Sequence, residues 1–234
     1  MKPAKAFILM MKGHPVSEEY AATCAKSCEE NDTPWEYIEW YDGTKKQNDA
    51  MKAWEEIPIE IKNRQNFTPR RNTAQCATSG HAMAWVKVRD LGKPAIIFEH
   101  DAILLHKIDI DIPEGQLVAL GYKLHKPQEY NHKQAGPPTD VIDVNGGGHE
   151  GAHAYAITSN TAIQLLAELT ERGIPGAIDN THFLKSRTKH TKIPIKIMNP
   201  TPALGWLRES TIWNKAASKN YEFIESFKQN YTKL

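Results

Sequence analysis

Apolar and polar positions alternate along the chain in short blocks, some with the two-residue period of a strand and some with the longer period of a helix. Ala6 to Met11 is an unbroken apolar run and predicts a buried strand. Lys12-Gly13-His14-Pro15 follows as a turn, and Ser17 with Glu18 and Glu19 suits a helix start with acids in its first turn. That helix is expected to run to about Glu30, ended by Asn31-Asp32. Trp35 to Tyr41 predicts a second strand, closing on the turn signal Asp42-Gly43. Residues 44 to 72 are polar and poorly periodic, with prolines at 58 and 69, and predict an irregular excursion. Helical spacing returns from Ala74 to Leu91 through Cys76, Met83, Trp85 and Val88, and Gly92-Lys93-Pro94 breaks it before strand Ala95–Phe98.

In the second half, Gln116 to Tyr122 predicts a strand and Lys123 to Pro138 a polar loop. Asn145-Gly146-Gly147-Gly148 is the strongest loop signal in the chain. Ala154 to Ile157 reads as a short strand. Ser159 or Asn160 then caps an amphipathic helix, TAIQLLAELTERG, stopped by Gly173 and Pro175. Ile193 to Met198 is a late strand, and the tail from Ser210 is helix-like, with Trp213, Tyr221, Phe223, Phe227 and Tyr231 on it. Strands alternating with helices predict an α/β fold with a largely parallel sheet and flanking helices.

The chemistry concentrates where one of these strands ends. Ala95 to Phe98 runs straight into Glu99-His100-Asp101 and leaves through another apolar run. Two carboxylates spaced i, i+2 at the end of a hydrophobic strand are costly without a partner. A hard cation with a phosphate ligand is the usual one, since Mg²⁺ and Mn²⁺ take carboxylate oxygens and share their coordination with diphosphate. Open α/β sheets also bind ligands at the carboxyl ends of their strands. The tripeptide therefore points to a metal-dependent enzyme acting on a nucleotide diphosphate, against the plainer reading of two solvated acids at a turn.

Composition narrows the picture without redirecting it. At 234 residues the chain can bury a sizeable core as one domain, or as one domain with an appendage, and 40% hydrophobic with 24% charged residues is ordinary for a globular protein. A net charge of +1 leaves no global footprint for nucleic acid. No apolar run is long enough to span a bilayer, and the short run after Met1 lacks a small-residue cleavage site, so neither a membrane span nor a signal peptide is expected. The three cysteines (Cys24, Cys28, Cys76) cannot all pair, and Cys24 and Cys28 share a helix face at i, i+4. A reducing cytoplasm is the expected compartment.

Other features carry both a sharp and a plain reading. His149-Glu150-Gly151-Ala152-His153 spells HExxH, the zinc-hydrolase signature, which requires both histidines on one helix face. Its glycines and the strand-like AYAIT after it favour a polar loop entering a strand. The basic run Lys185, Arg187, Lys189, His190, Lys192, Lys196 reads first as a solvated loop and second as a site for phosphates or a nucleic-acid backbone; Arg70-Arg71 is a weaker pair. His81, four residues before Trp85 on a predicted helix, is by default a structural histidine. Asp179 in IPGAIDN is by itself an ordinary loop aspartate.

Taken in order, several segments resemble glycosyltransferase family 25, the group of lipopolysaccharide-type sugar transferases, with its phage-borne relatives. Ser79-Gly80-His81-Ala82-Met83-Ala84-Trp85 is similar to the family's Ser-His-x-x-x-Trp helix, and IIFEHDA to its strand ending in an acidic triplet. Gly151 to Tyr155 followed by Ala162 to Leu166 resembles its Gly-x-x-x-Tyr strand and Ala-x-x-Leu helix. Pro175 to Asp179 resembles a Pro-x-x-Asp element, and Pro200 to Pro202 with Ser210-Thr211-Ile212 a late proline and Ser-Thr element. The resemblance spans most of residues 1–212, with 213–234 as a helical tail of the same domain. Two departures stand out: KGHPVSEEY occupies the place of the family's arginine-bearing segment, and Gly80 stands where the serine of Ser-His would be.

The resemblance implies a GT-A-type, Rossmann-like fold that moves a sugar from a nucleotide-diphosphate donor, with UDP-sugar favoured, to an acceptor hydroxyl. It implies Mn²⁺ or Mg²⁺, with Asp101 the expected metal ligand and Glu99 a second, nearer the ribose. Asp179 and then Glu150 are the carboxylates expected to take the acceptor proton in an inverting displacement. Asp42 and Gly43 are expected at the nucleoside, and His81, His153 and Tyr155 at the donor pocket. The acceptor is expected to be a saccharide, or alternatively a hydroxylated base in phage DNA. Other classes left open are an inactive binding module of the same fold and an HExxH zinc hydrolase.

Overall fold

The computed structural model describes residues 1–43, 49–61, 72–123, 136–143, 152–173, 178 and 193–205. In chain order these form β1 (Ala6–Met11), α1 (Pro15–Glu30), β2 (Trp35–Trp40), α2 (Asp49–Glu55), α3 (Asn72–Leu91), β3 (Ala95–Glu99) and β4 (Ala102–Leu104). There follow β5 (Leu117–Ala119), β6 (Gly121–Lys123), β7 (Asp140–Asp143), β8 (Ala154–Ile157), α4 (Ser159–Arg172), β9 (Ile195–Asn199) and β10 (Ala203–Gly205). A seven-stranded sheet has the order β2-β1-β3-β8-β5-β9-β7, and a small second sheet the order β4-β10-β6.

The main sheet is largely parallel, as the alternation of strands and helices predicts. β2, β1, β3, β5 and β9 point one way; β8 is antiparallel to both β3 and β5, and β7 is antiparallel to β9. The reversal of β8 follows from its connection: α4 leaves from its far end and packs beside α3, on the face those two helices share.

The strand period divides the core in two. Ala6, Ile8 and Met10 of β1, with Ile96 and Phe98 of β3, face α1 through Ala21, Cys24, Ala25 and Cys28. Phe7 and Leu9, with Ala95 and Ile97, face the opposite layer of α2, α3 and α4. Each fully buried large apolar side chain contributes about 1.5–3 kcal/mol, so strands covered on both faces hold the molecule together. The unbroken apolar runs of β1 and β3 are what such two-sided burial requires.

Several boundaries differ from expectation. α1 starts at Pro15, earlier than Ser17 suggested: His14 is the N-cap, its Nδ1 accepting from Ser17 N–H at 3.3 Å, and Pro15 suits the first turn, where an N–H is dispensable. Ser17 instead sits inside the helix, its hydroxyl accepting from the Met11 N–H at 2.9 Å and tying helix to strand. The stretch expected to be irregular contains α2, whose Ala50, Ala53 and Trp54 are buried against α3. The strand predicted over Gln116–Tyr122 is two, β5 and β6, which belong to different sheets with buried Leu120 between them. β7 and β10 carried no readable strand signal; β7 is mostly exposed and β10 has three residues. α4 is capped by Thr158, one residue before the expected cap, whose hydroxyl accepts from the Thr161 N–H at 3.2 Å. Among the described residues no helix is long and apolar enough to cross a membrane.

Candidate functional site

The parallel register of β2, β1 and β3 gathers their carboxyl ends on one edge. Met11 pairs with Trp40 and Leu9 with Glu99, so the Lys12–Pro15 loop, the Asp42-Gly43 turn and the Glu99–Asp101 turn leave the sheet there together. Because β8 runs the other way, His153 enters at the same edge, its carbonyl accepting from the Glu99 N–H at 2.9 Å. This is the edge at which open α/β sheets bind ligands.

The acidic triplet divides between two faces: Glu99, the last residue of β3, keeps the strand's alternation, and His100 and Asp101 lie in the turn beyond it. Glu99 shares the Ile97 face, toward α3, and meets His81 Nε2 at 3.3 Å through Oε1. Tyr155 of β8 lies opposite Ile97, which puts its hydroxyl diagonal to Glu99 on that face. The hydroxyl is 2.9 Å from His81 Nδ1 and accepts from Trp85 Nε1 at 2.8 Å. His81 and Trp85, one turn apart on α3, thus both reach one oxygen. His81 is 1% exposed and the Glu99 side chain 27%, while Tyr155 and Trp85 are wholly buried. Burial drives the Tyr155 hydroxyl well above its usual pKa; the Trp85 bond opposes this and the Glu99 charge adds to it.

His100 and Asp101 turn toward α1. The His100 ring stacks on Tyr20 with centroids 6.1 Å apart, and burial lowers its pKa despite the neighbouring Glu99 charge. Asp101 lies in a cleft of about 190 Å³ with Glu19, Tyr20 and Thr23 of α1, His100, Ala102 and Ile103. Cys24, fully buried beneath it, has its thiol pushed well above the ordinary value by burial first, then by Cys28 and the Asp101 charge.

Asp42 and Gly43 are buried where β2 meets α3. A Cβ at Gly43 would lie 2.8 Å from the Cys76 Cβ and from the Thr73 Cα, so only glycine fits that close approach. The Gly80 departure has a steric cause as well: a Cβ there would come within 3.1 Å of the Trp40 ring. Ser79, one place earlier, donates to the Cys76 carbonyl at 2.7 Å and accepts from Trp40 Nε1 at 2.7 Å, so the serine hydroxyl serves the β2–α3 contact. In KGHPVSEEY the loop folds on its own acid, with the Gly13 N–H donating to Glu18 Oε1 at 2.7 Å and Lys12 pairing with Glu39 at 2.5 Å.

Of the expected site residues, Glu99, His81 and Tyr155 form one hydrogen-bonded group, and Trp85 joins them although sequence reasoning assigned it no role; its i, i+4 spacing from His81 was the available signal. Asp101 is adjacent but on the α1 side. His153 is fully buried, close enough to β10 that a Cβ on Gly205 would reach 3.0 Å from its ring. It stands just before strand β8, not on a helix, so this half of HExxH lacks the helical spacing that zinc ligation by the motif requires. Asp179 and Glu150 lie outside the described residues, as do the basic residues 185–192, the Asn145–Gly148 loop signal and the 213–234 tail. Lys196, the last of the basic run, is on β9 and pairs with Asp143 at 2.5 Å. The Tyr20–His100 shelf beside Asp101 was not anticipated, since nothing in sequence brings residues 20 and 100 together.

Carboxylate oxygens are the donors a hard cation takes; Asp101 opens toward α1 and Glu99 toward α3, both half-buried at the strand end. Among the described residues no three His, Cys, Asp or Glu side chains form a ready-made cage. Mg²⁺ or Mn²⁺ held by one or two carboxylates and the phosphates of a ligand needs none. No family model matches the chain, and no curated protein matches it.

Proposed function

We propose that this protein is a glycosyltransferase that moves a sugar from a nucleotide-diphosphate donor to an acceptor hydroxyl, on a GT-A-type version of the α/β fold. The observation that carries the reading is the meeting of Glu99, His81, Trp85 and Tyr155, drawn from three separate segments of the family resemblance, at the ligand-binding edge of the sheet. Packing of unrelated segments would not require a strand-end carboxylate to share that network.

On this reading Asp101, with Glu99 beside it, holds Mn²⁺ or Mg²⁺. When bound, the cation neutralises charge that grows on the leaving diphosphate. The chain's own residues orient and deprotonate. Glu99, anchored on His81, addresses the donor near its ribose; Asp42 and the Gly43 turn stand at the nucleoside. A carboxylate must take the proton of the acceptor hydroxyl as the new bond forms, and Asp179, then Glu150, is the candidate.

A saccharide acceptor is favoured over DNA. The described lining of the Asp101 cleft carries Glu19 and Asp101 but neither Lys nor Arg, and a phosphodiester backbone is bound chiefly through cations. An aromatic shelf with carboxylates and a hydroxyl (Tyr20, His100, Glu19, Thr23) suits a neutral polyhydroxylated ligand. The hydroxylated-base reading draws on the basic run 185–196, of which Lys196 is paired with Asp143.

Thermal unfolding with UDP, GDP and CMP and their sugars, with and without Mn²⁺, tests the assignment. One nucleotide should give a metal-dependent stabilisation, about 2.7 kcal/mol at a hundredfold excess over its dissociation constant. Asp101→Ala should abolish that stabilisation, whereas Asp179→Ala should keep it and lose transfer. No stabilisation by any nucleotide in the wild type would refute the proposal.

A further inference from the structure

The contacts around His81 have a direction. An ionised carboxylate only accepts, so His81 Nε2, 3.3 Å from Glu99 Oε1, supplies the proton of that contact. An indole N–H only donates, so the Tyr155 oxygen is the acceptor at 2.8 Å from Trp85 Nε1. The Tyr155 proton is then directed at His81 Nδ1, 2.9 Å away, which is the bare nitrogen of a ring protonated at Nε2. Pairing with Tyr155 satisfies the Trp85 indole, and His81 Nδ1 supplies the acceptor that the buried Tyr155 hydroxyl proton still needs. From His81 the series continues past the buried groups to a carboxylate at the rim.

The geometry points to a one-way donor chain, Trp85 indole to Tyr155 hydroxyl to His81 imidazole to Glu99 carboxylate, that holds His81 as its Nε2–H tautomer and fixes the orientation of Glu99 at the site. Tyr155 and Trp85, both wholly buried, are then positioning residues that act through His81. The inference rests on the proposed function only in taking Glu99 as a donor contact. Its physical content is preorganisation. A carboxylate on a flexible stem loses rotamer freedom when it engages a ligand, and a side chain already pinned does not lose it again. The chain starts in the dry interior at three elements that pack regardless of ligand, so the pin is built into the fold.

Nitrogen NMR of isotope-labelled histidine in the ligand-free, metal-free protein at neutral pH tests the chain without any variant. His81 should be protonated at Nε2, with an Nδ1 resonance displaced as a hydrogen-bond acceptor; a ring protonated at Nδ1 alone overturns the inference. Tyr155→Phe should remove that displacement, leave Nε2–H in place and weaken nucleotide binding about three- to tenfold. His81→Gln, whose amide nitrogen falls where Nε2–H does, should bind better than His81→Leu of equal thermal stability. An unchanged Nδ1 resonance in Tyr155→Phe, or wild-type nucleotide affinity in that variant, overturns the positioning role. Should no nucleotide bind the wild type, the glycosyltransferase reading fails, and the nitrogen spectra still decide the chain.

Discussion

Burial governs the Cys24 and Cys76 thiols more than any neighbour does. Cys24 and Cys28 are fully buried one turn apart on α1, and Cys76 is buried between β2 and α3. The Cys76 thiol is pushed up to about 12, by burial first and then by the charges of Asp49 and Asp42. In the unfolded chain it ionises near the ordinary 9.0. A folded-state pKa raised in this way contributes stability that is complete below the unfolded value and is lost as pH rises from about 9 toward 12. Tyr41, raised to about 12 by its hydrogen bond to Glu56, acts in the same sense. Urea denaturation across this alkaline range should therefore show declining stability, and Cys76→Ala should decline less steeply from its own neutral-pH value. Parallel declines in the two proteins would remove Cys76 from the account.

At the level of elements, short side chains at the joints set where helices begin. Thr158 caps α4 through the Thr161 N–H and also donates to Glu114 Oε2 at 2.7 Å, linking the helix start to the loop before β5. An alanine there removes both contacts and leaves a helix donor unsatisfied. Thr158→Ala should cost about 1–2 kcal/mol, and Thr158→Ser should recover most of it. Chemical denaturation of the three proteins measures this directly, and a serine variant as weak as the alanine one would assign the loss to the methyl group instead. The same scale explains the acidic triplet. Strand geometry puts consecutive side chains on opposite faces, so Glu99 goes to α3, and His100, in the turn beyond, lies against α1. One strand end and the turn after it thereby supply both layers of the site.

For the molecule as a whole, stability and site share the central strands. β1, β3 and β8 have neighbours on both sides and are covered on both faces, whereas β2 and β7 are the edges. The β2 edge carries Glu36, shared between Lys5 at 2.9 Å and Lys87 at 3.1 Å, a charged border that discourages pairing with another chain. Amide exchange in the native protein should be slowest in β1, β3 and β8 and fastest in β2 and β7. Slower exchange in β7 than in β3 would contradict the strand order. The candidate site thus stands beside central strands covered on both faces, the arrangement that holds a constellation in place.

The amino-acid pattern alone determined the buried strands Ala6–Met11, Ala95–Phe98 and Ala154–Ile157, the helices around residues 17–30, 74–91 and 161–172, and the α/β class. Each of these is a local matter of period, capping and breakers. It also marked Glu99-His100-Asp101, because carboxylates at the end of an apolar strand are conspicuous in one dimension. Helix α2 and strands β7 and β10 were not legible, since short elements gain their stability from neighbours distant in sequence rather than from their own pattern. The direction of β8 was hidden for the same reason, and with it the opposition of Ile97 and Tyr155. Only tertiary structure decided that His81, Trp85, Tyr155 and Glu99 share one hydrogen-bonded group, and that Tyr20 meets His100 beside Asp101. Contacts across strands and layers depend on register and packing, and neither is written in the spacing of residues along a single chain.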